Sequence, residues 1–146
     1  LAGLRSVSSI VRVSPVYESA PVGGPVQGSY LNAVFLIETA LTPIGLLRSL
    51  LLIERARGRV RNDRWGPRTL DLDLLLCGRM TIDVDGLVVP HPQIRHRRFV
   101  LEPLHDVWPD VAMPDGSPMS PADGTVMDQA LVRLDRGLGD AAPAGT

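Results

Sequence analysis

The chain has 146 residues, 45% hydrophobic and 21% charged, with a formal net charge of -1; this suits one globular domain and argues against a protein built to coat nucleic acid or an anionic membrane. All 15 basic residues are arginine, a side chain suited to bidentate phosphate recognition. The single cysteine, Cys77, excludes an intrachain disulfide and points to a reducing, cytoplasmic compartment, and no run reaches the roughly 18 apolar residues of a membrane span.

The opening "LAGLRSV" has neither Met nor a signal-peptide pattern and looks entered partway through an element. "SSIVRVSPVYES" is β-branched and alternates around Val11 and Val13, which predicts a strand ending near Tyr17. Ala20 to Ser29 holds three Gly and two Pro and is expected to be loop. "YLNAVFLIET" predicts a second strand with Leu31, Ala33, Phe35 and Ile37 on one face and Tyr30, Asn32, Val34 and Leu36 on the other. An Asn in such a strand needs a partner if it is buried. The clearest helix is "TPIGLLRSLLLIERARG": Thr42 is the N-cap, Pro43 the first helical position and Gly58 the stop. Leu46, Leu47, Leu50 and Ile53 form its core-facing stripe, with Glu54 at the edge.

A loop from Arg59 to Pro67 precedes a predicted strand, "TLDLDLLLC". "MTIDVDGLVVPHP" predicts a hairpin turning at Asp85-Gly86. The period of "HRRFVLEPLHDVWPD" fits helix or loop, and "TVMDQALVRLDRGLG" is amphipathic enough for a last helix, with 137–146 expected to be a disordered tail. The order of elements favours α+β with a largely antiparallel sheet.

On the strand "TLDLDLLLC", Leu70, Leu72, Leu74 and Leu76 point one way and Asp71 and Asp73 the other. The two carboxylates then stand about 7 Å apart at their Cα atoms, a spacing suited to hard cations shared with phosphate oxygens. A solvated strand face is the plain alternative for such alternation. Six arginines between Arg55 and Arg68 add anion-binding forks beside the carboxylates, and magnesium-bound polyphosphate satisfies both charges. Those arginines also fit a solvated loop, or an RNA contact with Trp65 as a stacking platform. His91, His96 and His105 have spacings of five and nine, unlike common zinc motifs; of the three, His91 between two prolines is the candidate for ligand contact.

The segment "RWGPRTLDLDL", Arg64 to Leu74, together with "SPVYES", "YLNAV", "VPHP" and "RRFVLEPL", resembles the 6-hydroxymethyl-7,8-dihydropterin pyrophosphokinase family from about Val7 to Pro114. The resemblance implies a folate-pathway enzyme that transfers a pyrophosphoryl group from ATP to the pterin hydroxymethyl oxygen and releases AMP, with ATP as co-substrate and two magnesium ions. It also implies a ferredoxin-like α+β sandwich. A monomer is expected, and charge and hydropathy speak against nucleic-acid or membrane partners. By matching motif, Asp71 and Asp73 would hold the magnesium ions, and Arg59 and Arg68, on a flexible loop, would close over the phosphates. Glu54, Arg61, Leu74, Val88, His91 and Arg97 would contact ATP. Ser19, Ala20, Val22, Tyr30, Asn32, Trp65 and Phe99 would form the pterin pocket, since a flat heteroaromatic ring wants aromatic walls and polar groups at its edge. A non-catalytic nucleotide- or pterin-binding fragment and an RNA-binding module are the alternatives.

The chain departs from the family at Leu51, where a hydrogen-bonding residue such as Gln is usual, at Val88, where a hydroxyl residue is common, and at Ala20, where Pro is common. The family also begins with a strand and a Gly-rich turn that have no counterpart before "LAGLRSV". The expectation is therefore a single, N-terminally incomplete pyrophosphokinase domain over 1–146 that lacks the first, central strand of the sheet.

Overall fold

The computed structural model describes residues 1–19, 30–57, 70–121 and 126–135. In chain order these hold α1 (Ala2–Val7), β1 (Ser9–Val13), β2 (Tyr17–Ser19), β3 (Tyr30–Asn32), β4 (Phe35–Glu38), α2 (Pro43–Arg57), β5 (Ile82–Val84), β6 (Leu87–Val89), α3 (Arg98–Val107) and β7 (Leu131–Arg133). The architecture is α+β; β3, β2 and β7 form one antiparallel sheet, β5 and β6 another, and β1 pairs with β4. Among the described residues no helix is long and apolar enough to cross a membrane.

The two long strands expected near the start are each broken in two. Pro15 has no N–H to give to a ladder, and at the break Ser14 takes over the pairing. Its N–H donates to the Val34 carbonyl and its Oγ accepts the Val34 N–H, each at 2.9 Å. Both residues are buried, and the two bonds satisfy the N–H group of each. The uniform face alternation expected from Tyr30 to Ile37 accordingly stops at the gap between β3 and β4.

The described residues fall into two compact units. The first comprises those of Leu1–Ile10 and Ile37–His91. Here α2 begins as expected, with Thr42 Oγ1 accepting the Gly45 N–H at 3.1 Å. Leu46 and Leu50 are buried and Leu47 and Ile53 half-buried. α1 packs on α2 at Gly3, where a Cβ would meet Ile53 Cγ2 at 3.0 Å, so glycine lets the helices approach. The β5–β6 hairpin turns at Asp85-Gly86, with Gly86 at φ 85°, and pairs Ile82 with Val89 and Val84 with Leu87. Leu87 and Val89 face inward and Val88 outward.

The second unit comprises the described residues of Val11–Leu36 and Pro92–Thr146. β2 is central in its sheet: Tyr17 lies opposite Asn32 on one side and Arg133 on the other, and Ser19 opposite Tyr30 and Leu131. α3 packs against β2 and β3 and buries Leu101, Leu104 and Val107, with Ile94, Met119 and Val126 among the most deeply buried side chains. The ambiguous segment is therefore helical from Arg98, and Pro103 sits inside the helix, denying the Phe99 carbonyl its usual donor four residues on.

The last helix expected over 125–139 is corrected. Its described part is a turn followed by β7, because Leu131 to Arg133 supply the second edge that β2 needs, and the Leu134 N–H extends the pairing to Val16 O at 2.8 Å. Residues 137–146 lie outside the described residues.

Candidate functional site

In the first unit, Leu70 to Cys77 form no strand among the described residues, contrary to expectation, yet the alternation persists: Asp71 and Asp73 are exposed while Leu70, Leu72 and Leu74 are half-buried. Among the described residues, two hydrogen bonds tie the segment's backbone to its surroundings. Between the aspartates, the Leu72 N–H donates to Glu54 Oε1 at 2.6 Å. Farther along, the His91 N–H donates to the Leu75 carbonyl at 2.9 Å. The Leu72 N–H thus bonds a side chain instead of a strand partner.

Glu54 is 6% exposed and is the one fully buried charged residue among those described. Its helical position, four residues after Leu50, turns it inward with the apolar stripe. A buried carboxylate must be hydrogen-bonded to be tolerated, and the Leu72 amide provides one such bond. Glu54, the Asp71 to Leu74 segment and His91 are therefore tied together within one unit. Val88 is close in sequence to His91 but exposed on the outer face of β6.

Asp71 and Asp73 are hard oxygen donors on exposed backbone positions, and a pair of carboxylates leaves most of a magnesium ion's six positions open to phosphate oxygens and water. The donor set fits magnesium bound to polyphosphate. Nearby Cys77 is a poor candidate for an activated nucleophile, since burial pushes its thiol up.

In the second unit, residues directly opposite across an antiparallel pair share a face, so Tyr17, Ser19, Tyr30 and Asn32 all lie on one side of the sheet. Tyr17 donates its hydroxyl to Asp106 on α3, which identifies that side as the one α3 covers. Asn32 Nδ2 donates to Ser19 Oγ at 2.9 Å and makes longer contacts with the carbonyls of Tyr30 (3.3 Å) and Tyr17 (3.4 Å). The partner that Asn32 was expected to need is Ser19, itself 7% exposed. With the amide nitrogen engaged in this way, the Asn32 carbonyl oxygen is the end suited to accept from a ligand. Tyr30 is exposed, and the Phe99 ring centroid is 5.5 Å from the Arg97 guanidinium carbon.

The expected site residues Ala20, Val22, Arg59, Arg61, Trp65 and Arg68 lie outside the described residues. His105 is bonded through Nε2 to the Met119 carbonyl, as a structural histidine would be. Sequence reasoning missed the anchoring contact of Glu54. Its signal was the 3.6-residue period itself, which carries Glu54 inward beside Leu50.

Comparison with known proteins supplies the remaining observations. The model of a family described as 7,8-dihydro-6-hydroxymethylpterin-pyrophosphokinase (HPPK) matches residues 1–109. A Pseudomonas aeruginosa protein named 2-amino-4-hydroxy-6-hydroxymethyldihydropteridine pyrophosphokinase is 50% identical over 107 residues, covering 73% of this chain and 66% of that protein. A Haemophilus influenzae protein of the same name is 38% identical over 138 residues, covering 91% of this chain and 86% of that one. The Folic acid synthesis protein fol1 of Pneumocystis carinii is 41% identical over 105 residues, which are 72% of this chain but 14% of that protein.

Proposed function

The chain belongs to the 7,8-dihydro-6-hydroxymethylpterin-pyrophosphokinase family, and from that premise we propose that it transfers a pyrophosphoryl group from ATP to 6-hydroxymethyl-7,8-dihydropterin. The pterin hydroxymethyl oxygen attacks the β-phosphorus, the bond from that phosphorus to the oxygen bridging the α-phosphate breaks, AMP leaves with that oxygen, and the hydroxyl proton passes to solvent. The products are AMP and 6-hydroxymethyl-7,8-dihydropterin diphosphate.

The observation that carries this reading is the exposed Asp71 and Asp73 on either side of Leu72, whose amide is fixed by buried Glu54. These aspartates would hold two magnesium ions, which supply charge neutralisation on the phosphates. Glu54 acts by positioning the carboxylates, so its effect on nucleotide affinity is indirect. Leu74, Val88, His91 and Arg97 are assigned to ATP together with Arg61, while Arg59 and Arg68 stabilise charge that develops on the phosphates during transfer. Such stabilisation is most of what a protein can add to phosphoryl-type transfer.

For the pterin, Ser19 orients Asn32, and the Asn32 carbonyl accepts from the N–H groups on the ring's amide-like edge. Tyr30, Phe99 and Trp65 provide aromatic walls, with Ala20 and Val22 completing the pocket. The antiparallel β3–β2–β7 sheet with α3 on one face supports a ferredoxin-like sandwich. ATP and magnesium are reagents of the cytoplasm, to which we assign the reaction; one chain carries both sets of residues, so a monomer suffices, and a net charge of -1 does not favour nucleic acid.

Phosphorus NMR of the purified chain with ATP, magnesium and the pterin tests the proposal. Pterin-dependent AMP with a pterin diphosphate signal is expected. Formation of ADP and phosphate instead, or no AMP from a chain that still binds nucleotide, would overturn it.

A further inference from the structure

α3 begins without a cap of its own. The residue before it, Arg97, has extended backbone (φ -126°, ψ 110°) and makes no side-chain capping bond, although a helix leaves its first N–H groups without intrahelical partners. The Arg98 N–H is instead taken by Gln129 Oε1 at 2.8 Å, from 31 residues along the chain. The same side chain donates through Nε2 to the His96 carbonyl at 2.8 Å. Gln129 therefore grips one backbone group on each side of Arg97.

The grip is itself held in place. The Arg98 guanidinium donates through Nη1 to the Gln129 carbonyl at 3.0 Å and through Nε to Glu102 at 3.3 Å. The Gln129 N–H closes a turn onto the carbonyl of Val126, which is 1% exposed. What is gripped is the backbone of a long side chain whose guanidinium lies near the Phe99 ring, a weak contact that would not fix its direction alone. A small rotation at the Arg97 backbone moves a guanidinium several bonds away by much more. Gln129 lies beyond the 1–109 span that matches the family.

We propose that Gln129 is a positioning residue that sets the direction of Arg97 toward the nucleotide. This rests on the assignment of Arg97 to ATP made above. A neutral amide carries the acceptor for Arg98 and the donor for His96 on one side chain; Glu would keep only the acceptor, and Met would fill the space with neither.

The test measures kcat and the two KM values for the wild-type chain, Gln129→Met, Gln129→Glu, Arg97→Ala and the Arg97→Ala/Gln129→Met double variant, with thermal midpoints recorded alongside. Gln129→Met is expected to raise KM for ATP about five- to tenfold, the scale of one or two lost hydrogen bonds, with kcat within about twofold. Gln129→Glu should fall between it and wild type. In the Arg97→Ala background, Gln129→Met should add nothing to KM for ATP, since the residue it positions is gone. An active wild type whose KM for ATP is unmoved by Gln129→Met and Gln129→Glu, or moved equally with and without Arg97, overturns this inference alone. A wild-type chain that forms no pterin diphosphate overturns the pyrophosphokinase assignment, and this inference with it.

Discussion

The two units hold the residues proposed for function by different means. Ser19, Tyr30 and Asn32 ride on a three-stranded antiparallel sheet, where the β2–β3 and β2–β7 ladders fix the backbone many times over. Asp71 and Asp73 ride on a segment with no ladder among the described residues, fixed by the Glu54–Leu72 bond and the Leu75–His91 bond. A ladder spreads positioning over many bonds, so no single side chain decides it. The carboxylate segment rests on few such bonds, one of them from a buried glutamate, and that contrast sets the scale of what mutations should do.

Loss of a carboxylate should have the largest effect. Asp73→Ala is expected to lower magnesium-dependent kcat by about a thousandfold or more, since several kcal/mol of charge stabilisation would depend on the ion it is proposed to hold. Because the residue is exposed, the change in stability should stay within about 0.5 kcal/mol in urea melts. Near-normal turnover would remove Asp73 from the metal site.

Glu54→Ala comes next, and it tests the contrast directly. It leaves the Leu72 amide without its acceptor, which costs roughly 1–3 kcal/mol in stability. Displacement of the aspartates should lower kcat/KM about 10- to 100-fold. Glu54→Gln keeps a carbonyl oxygen for the amide and should recover most of the activity. If Glu54→Ala turned over like wild type, the segment would have to be held by something other than this anchor.

The sequence carried some of this in local rules and left the rest to distant partners. Thr42, Pro43 and the Leu46/Leu50 period were enough for α2, and Asp85-Gly86 for the hairpin turn, because those elements are decided by neighbours a few residues away. The Arg64 to Leu74 motif marks Asp71 and Asp73 as site candidates by its length and specificity. β7 is not legible as a strand because "ALVRLD" suits either period, and its strand state is set by pairing with β2, more than a hundred residues earlier. The strand expected over Asp71 and Asp73 does not form for a related reason: alternation predicts which way side chains point, and it does so here, but it does not decide whether the backbone finds a ladder or a glutamate. Pro103 obscured α3 because a proline inside a helix imitates a boundary.

On the ladder-held side, single changes should be milder and more selective. Asn32→Ala removes the amide that bonds Ser19, while the β2–β3 pairing stays in place, so stability should fall by no more than about 1 kcal/mol. KM for the pterin should rise about tenfold from the lost contact, and KM for ATP should hold within about twofold. Steady-state titration of each substrate separates the two. Equal rises in both would mean that Asn32 supports the unit generally and does not read the pterin.

The smallest effect on activity is expected from Tyr17→Phe, which removes the hydrogen bond from the central strand to Asp106 on α3. With the ladder intact, kcat/KM should stay within about twofold and neutral-pH stability should drop by about 1 kcal/mol. Alkaline pH magnifies the difference. Burial first, and then the Asp106 carboxylate, push the Tyr17 phenol well above its ordinary value, against a smaller opposing pull from Arg133. The folded state therefore holds this proton more tightly than the unfolded chain, so its contribution is fully present below about pH 10 and is lost as pH rises toward the higher folded value. Urea midpoints taken between neutral pH and about pH 11 should fall more steeply for the wild-type chain than for Tyr17→Phe, narrowing the gap between them. Parallel declines would place the alkaline sensitivity elsewhere and leave the Tyr17–Asp106 bond as one redundant tie among the many that hold the sheet.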